Sequence, residues 1–338
     1  MKRLTKYIIE QLQINEDKIN KDNLLNELNK HSDNLDDFVK ELNKALKHAD
    51  KDDNAKLWMG AIKDLFDGEN GNQYKAKNHV SLKISELYPT QSEIDIENSA
   101  KWISKDWVAK SVGNMFKKEA FGKSFPVPVL VYKDDEKYWI IDGHHRWSQV
   151  GLINYNASVD CMVVEGPETV QDFLKITQGV ISSVLASDNK NNGKSGNKQL
   201  PMGKANPQNN IFGDALKGNK LKEKISKMCI ENSNICKLLQ ETLLNNHIID
   251  NTGKFIVEAK NNQNEFINNL SERVMNNRDK MIENKQDPPK WAAPRPVMPQ
   301  SDAAGPNDPN DPNDGNPDNE GSALYKILYK GKFPNIGK

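Results

Sequence analysis

The stretch Tyr138-Trp-Ile-Ile-Asp142-Gly143-His144-His145-Arg146-Trp147 constrains this chain more than any other, because an apolar strand runs directly into a glycine, two histidines and an arginine. Tyr138 to Ile141 are aromatic or β-branched, the residue types enriched in strands. His145 to Val150 read as the first turns of a helix that continues toward Leu152. The turn between them would aim backbone N–H groups, the positive end of a helix dipole and the Arg146 guanidinium at one point, a layout that suits a phosphate. The plain alternative is a tight Asp142-Gly143 turn decorated by surface histidines.

The flanks give this motif a context. Residues 125–132 (Phe-Pro-Val-Pro-Val-Leu-Val-Tyr) form a second apolar strand, and residues 133–137 (Lys-Asp-Asp-Glu-Lys) are a charged hairpin turn leading into the motif strand. Residues 157–164 supply a third strand after the helix. Residues 100–116, with Trp102, Ile103, Trp107, Val108, Val112 and Phe116, carry the apolar spacing of one amphipathic helix. The simplest meaning of those aromatics is core rather than base stacking.

An extended Pro-Val-x-Val strand, a hairpin, a strand ending in Asp-Gly-x-x-Arg, a helix and another strand together resemble the ParB/sulfiredoxin superfamily over residues 82–165. Residues 87–93 (Leu-Tyr-Pro-Thr-Gln-Ser-Glu) suit the superfamily's preceding segment, where a short strand leads to a proline and a polar residue before a helix. The resemblance implies an α+β fold, a small mixed-sheet domain flanked by mostly helical regions. It also implies that Gly143, His145 and Arg146 line a phosphate site for a nucleoside triphosphate or diphosphate with Mg²⁺. Sulfiredoxins place a catalytic cysteine directly after the glycine; His144 stands there, so peroxiredoxin repair is not expected. ParB proteins carry Glu-Arg-Arg after the glycine where this chain has His-His-Arg, which departs from the CTP-clamp pattern. Asp142-Gly-His-His-Arg is closer to the branch that includes free-serine kinases.

A kinase or NTPase needs a base for the acceptor and a carboxylate near Mg²⁺. Asp142 and Glu93 are the candidates. Asp142 either binds metal through water or caps the following helix; Glu93 either faces the pocket or is a solvated residue at a helix start. His144 and His145 can donate to phosphate when protonated, or orient Asp142. Adjacent histidines at a helix start diverge by about 100°, and no third ligand has metal-site spacing. Gly122-Lys-Ser124 and Gly193-Lys-Ser195 resemble P-loop ends, but Lys117 and Asp188 occupy the required glycine positions. Cys161, Cys229 and Cys236 show no ligand spacing, and the odd count points to a reducing compartment with no disulfide.

At the N-terminus, Leu4, Ile8 and Leu12 share one face of an amphipathic turn. Met-Lys-x-x-x-x-Tyr-Ile-x-Glu over residues 1–10 is similar to capsid-targeting sequences of head-internal proteins in large contractile-tailed phages, with Ile8-Ile9-Glu10 matching the prohead protease rule. The resemblance implies a phage protein in the host cytoplasm or the virion head, with other head proteins as partners. An ordinary N-terminal helix is the alternative. No stretch of about twenty apolar residues appears, so no membrane is expected.

Equal totals of 47 basic and 47 acidic residues argue against strong nonspecific DNA binding. DNA therefore ranks below nucleotide as a partner, and a ParB-like DNA-binding or nuclease protein ranks below both an enzyme and a non-catalytic virion protein that keeps the fold. The expected organisation is a targeting segment (1–12), a charged helical region (13–80), the mixed-sheet domain (81–186), a linker rich in Asn, Gly and Lys (187–210), a helical region (211–286) and a Pro-rich tail (287–338). Within that tail, repeated Pro-Asn-Asp lacks the apolar residues needed to offset ordering entropy and should be disordered, with residues 323–330 as an anchor.

Overall fold

The computed structural model describes residues 75–113, 128–174, 177–178, 205–247 and 263–293. The expectations for the targeting segment, the charged helical region before residue 75, Phe116, residues 125–127, most of the linker and the tail beyond residue 293 lie outside those residues.

The described architecture is α+β. Strands β1 (Lys75–Lys83), β2 (Leu87–Pro89), β3 (Val129–Asp134), β4 (Lys137–Asp142) and β5 (Ser158–Glu165) form one sheet in the order β1-β5-β3-β4-β2. β3 and β4 are antiparallel, joined where Asp134 faces Lys137 and Asp135 takes a left-handed φ of 52°. β2 runs parallel to β4, with Leu87, Tyr88 and Pro89 opposite Tyr138, Trp139 and Ile140. The sheet is therefore mixed, and β2 and β4 end at the same edge. Carboxyl ends of neighbouring parallel strands are where ligands settle in open α/β sheets.

The ladder slips by one residue just before that edge. Leu130 faces Asp142, whereas Val131 already faces Ile140, so β4 carries an extra residue. Both Ile140 and Ile141 are buried as a result. Such a bulge re-aims the residue that follows it, here Asp142.

One helix was expected over residues 100–116. Instead α1 (Ile96–Ser99), α2 (Lys101–Ser104) and α3 (Asp106–Ser111) follow one another. Ala100 (φ −109°, ψ 29°) and Lys105 (φ −133°, ψ 120°) leave helical geometry. The breaks let Trp102, Ile103, Val108, Ala109 and Val112 all reach the core, which a single straight helix would splay. The aromatics are thus core: Trp102 is wholly buried and Trp107 packs against the same cluster.

α4 (His144–Ile153) buries Trp147, Val150, Gly151, Leu152 and Ile153. Each such Leu, Ile or Val contributes roughly 1.5–3 kcal/mol through burial. Beyond residue 205 come α5 (Asn219–Glu231), α6 (Ser233–Asn245) and α7 (Gln263–Glu283). Ala76–Val164 and Ala205–Ala292 form one compact unit, although the linker pattern suggested separate regions. Close approach explains part of this cohesion. A Cβ on Gly151 would run into Met281 of α7 and Ile84.

Helix α7 also finishes α4. The last carbonyls of a helix lack intrahelical donors; Asn277 Nδ2 donates to the Leu152 carbonyl at 2.9 Å, and Arg273 Nε donates to that of Ile153. Beyond α7, the buried Gln286 amide donates to the carbonyls of Ile84 and Leu87, and Tyr155 donates to its Oε1. These contacts hold β2 and α4 in one frame.

Cys229 and Cys236 form a disulfide, with Cα atoms 5.4 Å apart, against the expectation of three unpaired thiols. The reason is local geometry. Only Asn232 separates α5 from α6, so two core-facing residues seven positions apart come side by side. A second unit contributes described residues 75, 165–174, 177–178 and 293, and in it Thr169 Oγ1 accepts from the Asp172 amide. No described helix is long and apolar enough to cross a membrane.

Candidate functional site

The turn after β4 is built on Gly143, whose φ of 104° and ψ of 19° are left-handed. A residue with a Cβ pays roughly 1–2 kcal/mol in that region, and glycine does not. Gly143 is also the N-cap of α4 and supplies no side chain to its N–H groups. Its carbonyl accepts from the Trp147 amide at 2.9 Å, which closes the first helical turn. Asp142 therefore does not cap the helix.

Asp142 instead faces Arg146. The Arg146 Nη2 donates to Asp142 Oδ2 at 2.9 Å, with the arginine side chain 16% exposed and the aspartate 41%. The guanidinium lies against the glycine: a Cβ on Gly143 would stand 2.8 Å from Nη2 and 3.0 Å from Nε. Arg146 Nε is buried and has no hydrogen-bond partner. Leaving a buried donor unsatisfied costs about 1–3 kcal/mol, more than an exposed i,i+4 ion pair returns.

Helix-dipole electrostatics sharpen the contrast. First turns favour Asp and Glu because the helix start carries partial positive charge. The first turn of α4 is His144-His145-Arg146, with no acid. A cation placed there is disfavoured by roughly 0.3–1 kcal/mol. Local rules are broken in this way at functional or strained sites.

His144 is 2% exposed, and its Nε2 accepts from the Thr90 amide at 3.0 Å, while Thr90 Oγ1 donates to the Ile140 carbonyl at 2.5 Å. An imidazole nitrogen that accepts carries no proton. His144 thus clamps the loop after β2 onto the start of α4. Thr90 was missed as a partner in the sequence, although it stands in the Leu-Tyr-Pro-Thr-Gln segment. His145 is half-buried beside Arg146.

Glu93 lies three residues past Thr90, half-buried, with Oε2 enclosed and lacking a donor. No ion pair joins it to Arg146 among the described residues. The structure therefore brings Asp142, Gly143 and Arg146 into direct contact, holds His144 against them through Thr90, and leaves Glu93 on the adjoining loop. Behind the site, Ser148 and Ser99 share a hydrogen bond at 2.7 Å, and Gln149 Nε2 donates to the Asn98 carbonyl at 3.0 Å, so α1 braces α4. Cys161 is wholly buried on β5, and burial pushes its thiol up, so it is no nucleophile.

What this arrangement offers chemically is a half-used guanidinium fork, a helix start without an acid and a left-handed glycine that lets both approach closely. An oxyanion with several acceptors fits those donors. Carboxylates at Asp142 and Glu93 are the available ligands for a hard cation, although no cluster of three or more His, Cys, Asp or Glu residues occurs among the described residues. No protein-family model matches this chain, and neither does any curated protein.

Proposed function

We propose that the turn from Gly143 to Arg146 binds phosphate and that the chain is a ParB/sulfiredoxin-like nucleotide-binding protein. One observation carries the reading: a cationic first turn seated on a left-handed glycine, with the arginine folded over that glycine and one guanidinium donor unspent. The ligand is a nucleoside triphosphate or diphosphate with Mg²⁺. Asp142 and Glu93 are the carboxylates suited to hold the cation or take a proton during phosphotransfer or hydrolysis. The motif over residues 1–10 supports a phage origin and packaging in the head, with head proteins or DNA as further partners.

A second reading has an observation of its own. His144 is engaged by Thr90 and Asp142 by Arg146, which favours a binding module without turnover, such as a virion protein retaining the fold.

Calorimetric titration with ATP, ADP, CTP and GTP in Mg²⁺, on wild type and Arg146→Ala, tests the site. Losing a charge-assisted contact of this kind weakens binding by about 10- to 100-fold. Equal affinity of the two proteins would remove Arg146 from the site. A hydrolysis assay on the same samples separates the enzyme from the binding module.

A further inference from the structure

Asp142 and Arg146 are not simply neighbours on a helix. Asp142 precedes the helix, at the end of a strand whose bulge turns it toward Arg146. Its carboxylate takes one guanidinium nitrogen and leaves Nε buried and unsatisfied. A carboxylate docked to a full arginine fork makes two parallel bonds; this one makes one. The guanidinium is pressed on Gly143, so it has little room to turn and offer both nitrogens to Asp142. The aspartate is the more exposed partner, 41% against 16%, and is therefore the one able to swing away.

From these features we infer that Asp142 is an internal occupant of the phosphate site, an anion that a ligand must displace. The inference rests on the phosphate-site reading and adds how that site is controlled. A phosphate group has more acceptor oxygens than a carboxylate, so it can take Nη2 and also fill the unspent Nε. Displacement would leave the Asp142 carboxylate at the mouth of the site, beside the incoming anion. Asp142 thereby holds the guanidinium in place while the site is empty and disfavours weakly charged anions that cannot outcompete it.

The opposite role, a ligand group that helps binding, gives the opposite sign on mutation. The probe is inorganic pyrophosphate without divalent cations, in EDTA, followed by calorimetry on the full chain. The proteins are wild type, Asp142→Asn, Arg146→Ala, the double variant and Asp106→Asn. Asp106 is an exposed acid on α3 paired with Lys110, and its variant controls for the loss of one negative charge. Circular dichroism and urea unfolding confirm that each variant is folded.

Removing a competing charge a few ångströms from the ligand should tighten binding by about 5-fold. The expected result is therefore tighter binding by Asp142→Asn, wild-type affinity for Asp106→Asn, and binding weakened by about 10- to 100-fold or more in Arg146→Ala and in the double variant alike. Equal or weaker binding by Asp142→Asn, with Arg146→Ala binding more weakly than wild type, overturns the inference and leaves the phosphate site intact. A gain that persists in the double variant also overturns it, because the effect then does not pass through Arg146. No pyrophosphate binding by wild type and Asp142→Asn alike overturns the inference, and it takes down the phosphate-site reading as well when the Mg²⁺ titrations with nucleotides also show no binding.

Discussion

Helices α1 and α4 are braced against each other through Ser99 with Ser148 and Asn98 with Gln149, and their starts are finished in opposite ways. At α1, Asp95 accepts from the amides of Glu97 and Asn98 at 2.8 and 3.2 Å, and Glu97 places a second acid in the first turn. At α4, Gly143 offers no side-chain acceptor, and His144, His145 and Arg146 fill the first turn. The α1 start meets its own needs from its own sequence. The α4 start departs from both rules at once, capping and charge, while its far end is closed carefully by Asn277 and Arg273 of α7. A helix well finished at one end and left with an unspent arginine donor in the first turn of the other is arranged around that end.

The largest way to break this comparison is Gly143→Ala. The left-handed φ costs a Cβ roughly 1–2 kcal/mol, and that Cβ also crowds the Arg146 guanidinium. Urea unfolding should show a loss of about that size, and pyrophosphate binding should disappear. A stable variant with unchanged binding would mean that the glycine is an ordinary turn.

How much of this was legible in the sequence follows from the same residues. The hairpin, the motif strand and α4 were readable because Tyr138 to Ile141 and the residues after Gly143 follow simple periodicities. The contact of Asp142, Gly143 and Arg146 follows from their placement at i, i+1 and i+4. The break of residues 96–111 into three short helices was not readable, since the apolar spacing of Trp102, Ile103, Val108 and Val112 fits one helix equally well. The choice was made by packing. Nor did any spacing pair Thr90 with His144, 54 residues away, or bring Gln286 to Ile84 and Leu87, because those are tertiary contacts of polar groups with backbone. Arg273 and Asn277 stand at i,i+4 on one helix face, a weak signal that becomes meaningful only once the end of α4 lies beside them. The disulfide was hidden for a different reason: cysteine count argues about compartment, whereas pairing depends on where two helices meet.

A middle-sized effect is expected at the well-finished start. Asp95→Ala removes the acceptor of two amides, and loss of a cap of this kind costs about 1 kcal/mol, within a range of roughly 0.5–2. The site is braced through α1 by Ser99 and Asn98, so the loss should appear as faster hydrogen exchange at Glu97 and Asn98, with pyrophosphate affinity changed less than 2-fold. A large loss of affinity would show that α1 belongs to the binding machinery and is more than a brace.

The smallest effect concerns charge at that same start. The hydrogen bond from Lys224, 2.8 Å away, is the main cause that holds the Glu97 carboxyl below its ordinary value of 4.5; burial opposes it, and the Lys224 charge and Asn209 add to the lowering. A carboxyl lowered in the folded state stabilises the fold above its unfolded value and loses that contribution as pH falls through the folded one. The window therefore lies at and below about pH 4.5. With the glutamate 56% exposed and the lysine 28%, solvent screening limits the contribution to about 0.5 kcal/mol. Lys224→Met should flatten the acid limb of the stability curve by that amount between pH 5 and pH 3, a span of about two units around the usual carboxylate range, and should change nothing at pH 7 beyond the lost pair. A steeper acid limb in the variant would reverse the sign and show that Lys224 is not what lowers Glu97. The same substitution should leave pyrophosphate binding at α4 untouched, because the charge it removes serves the helix start that is already complete.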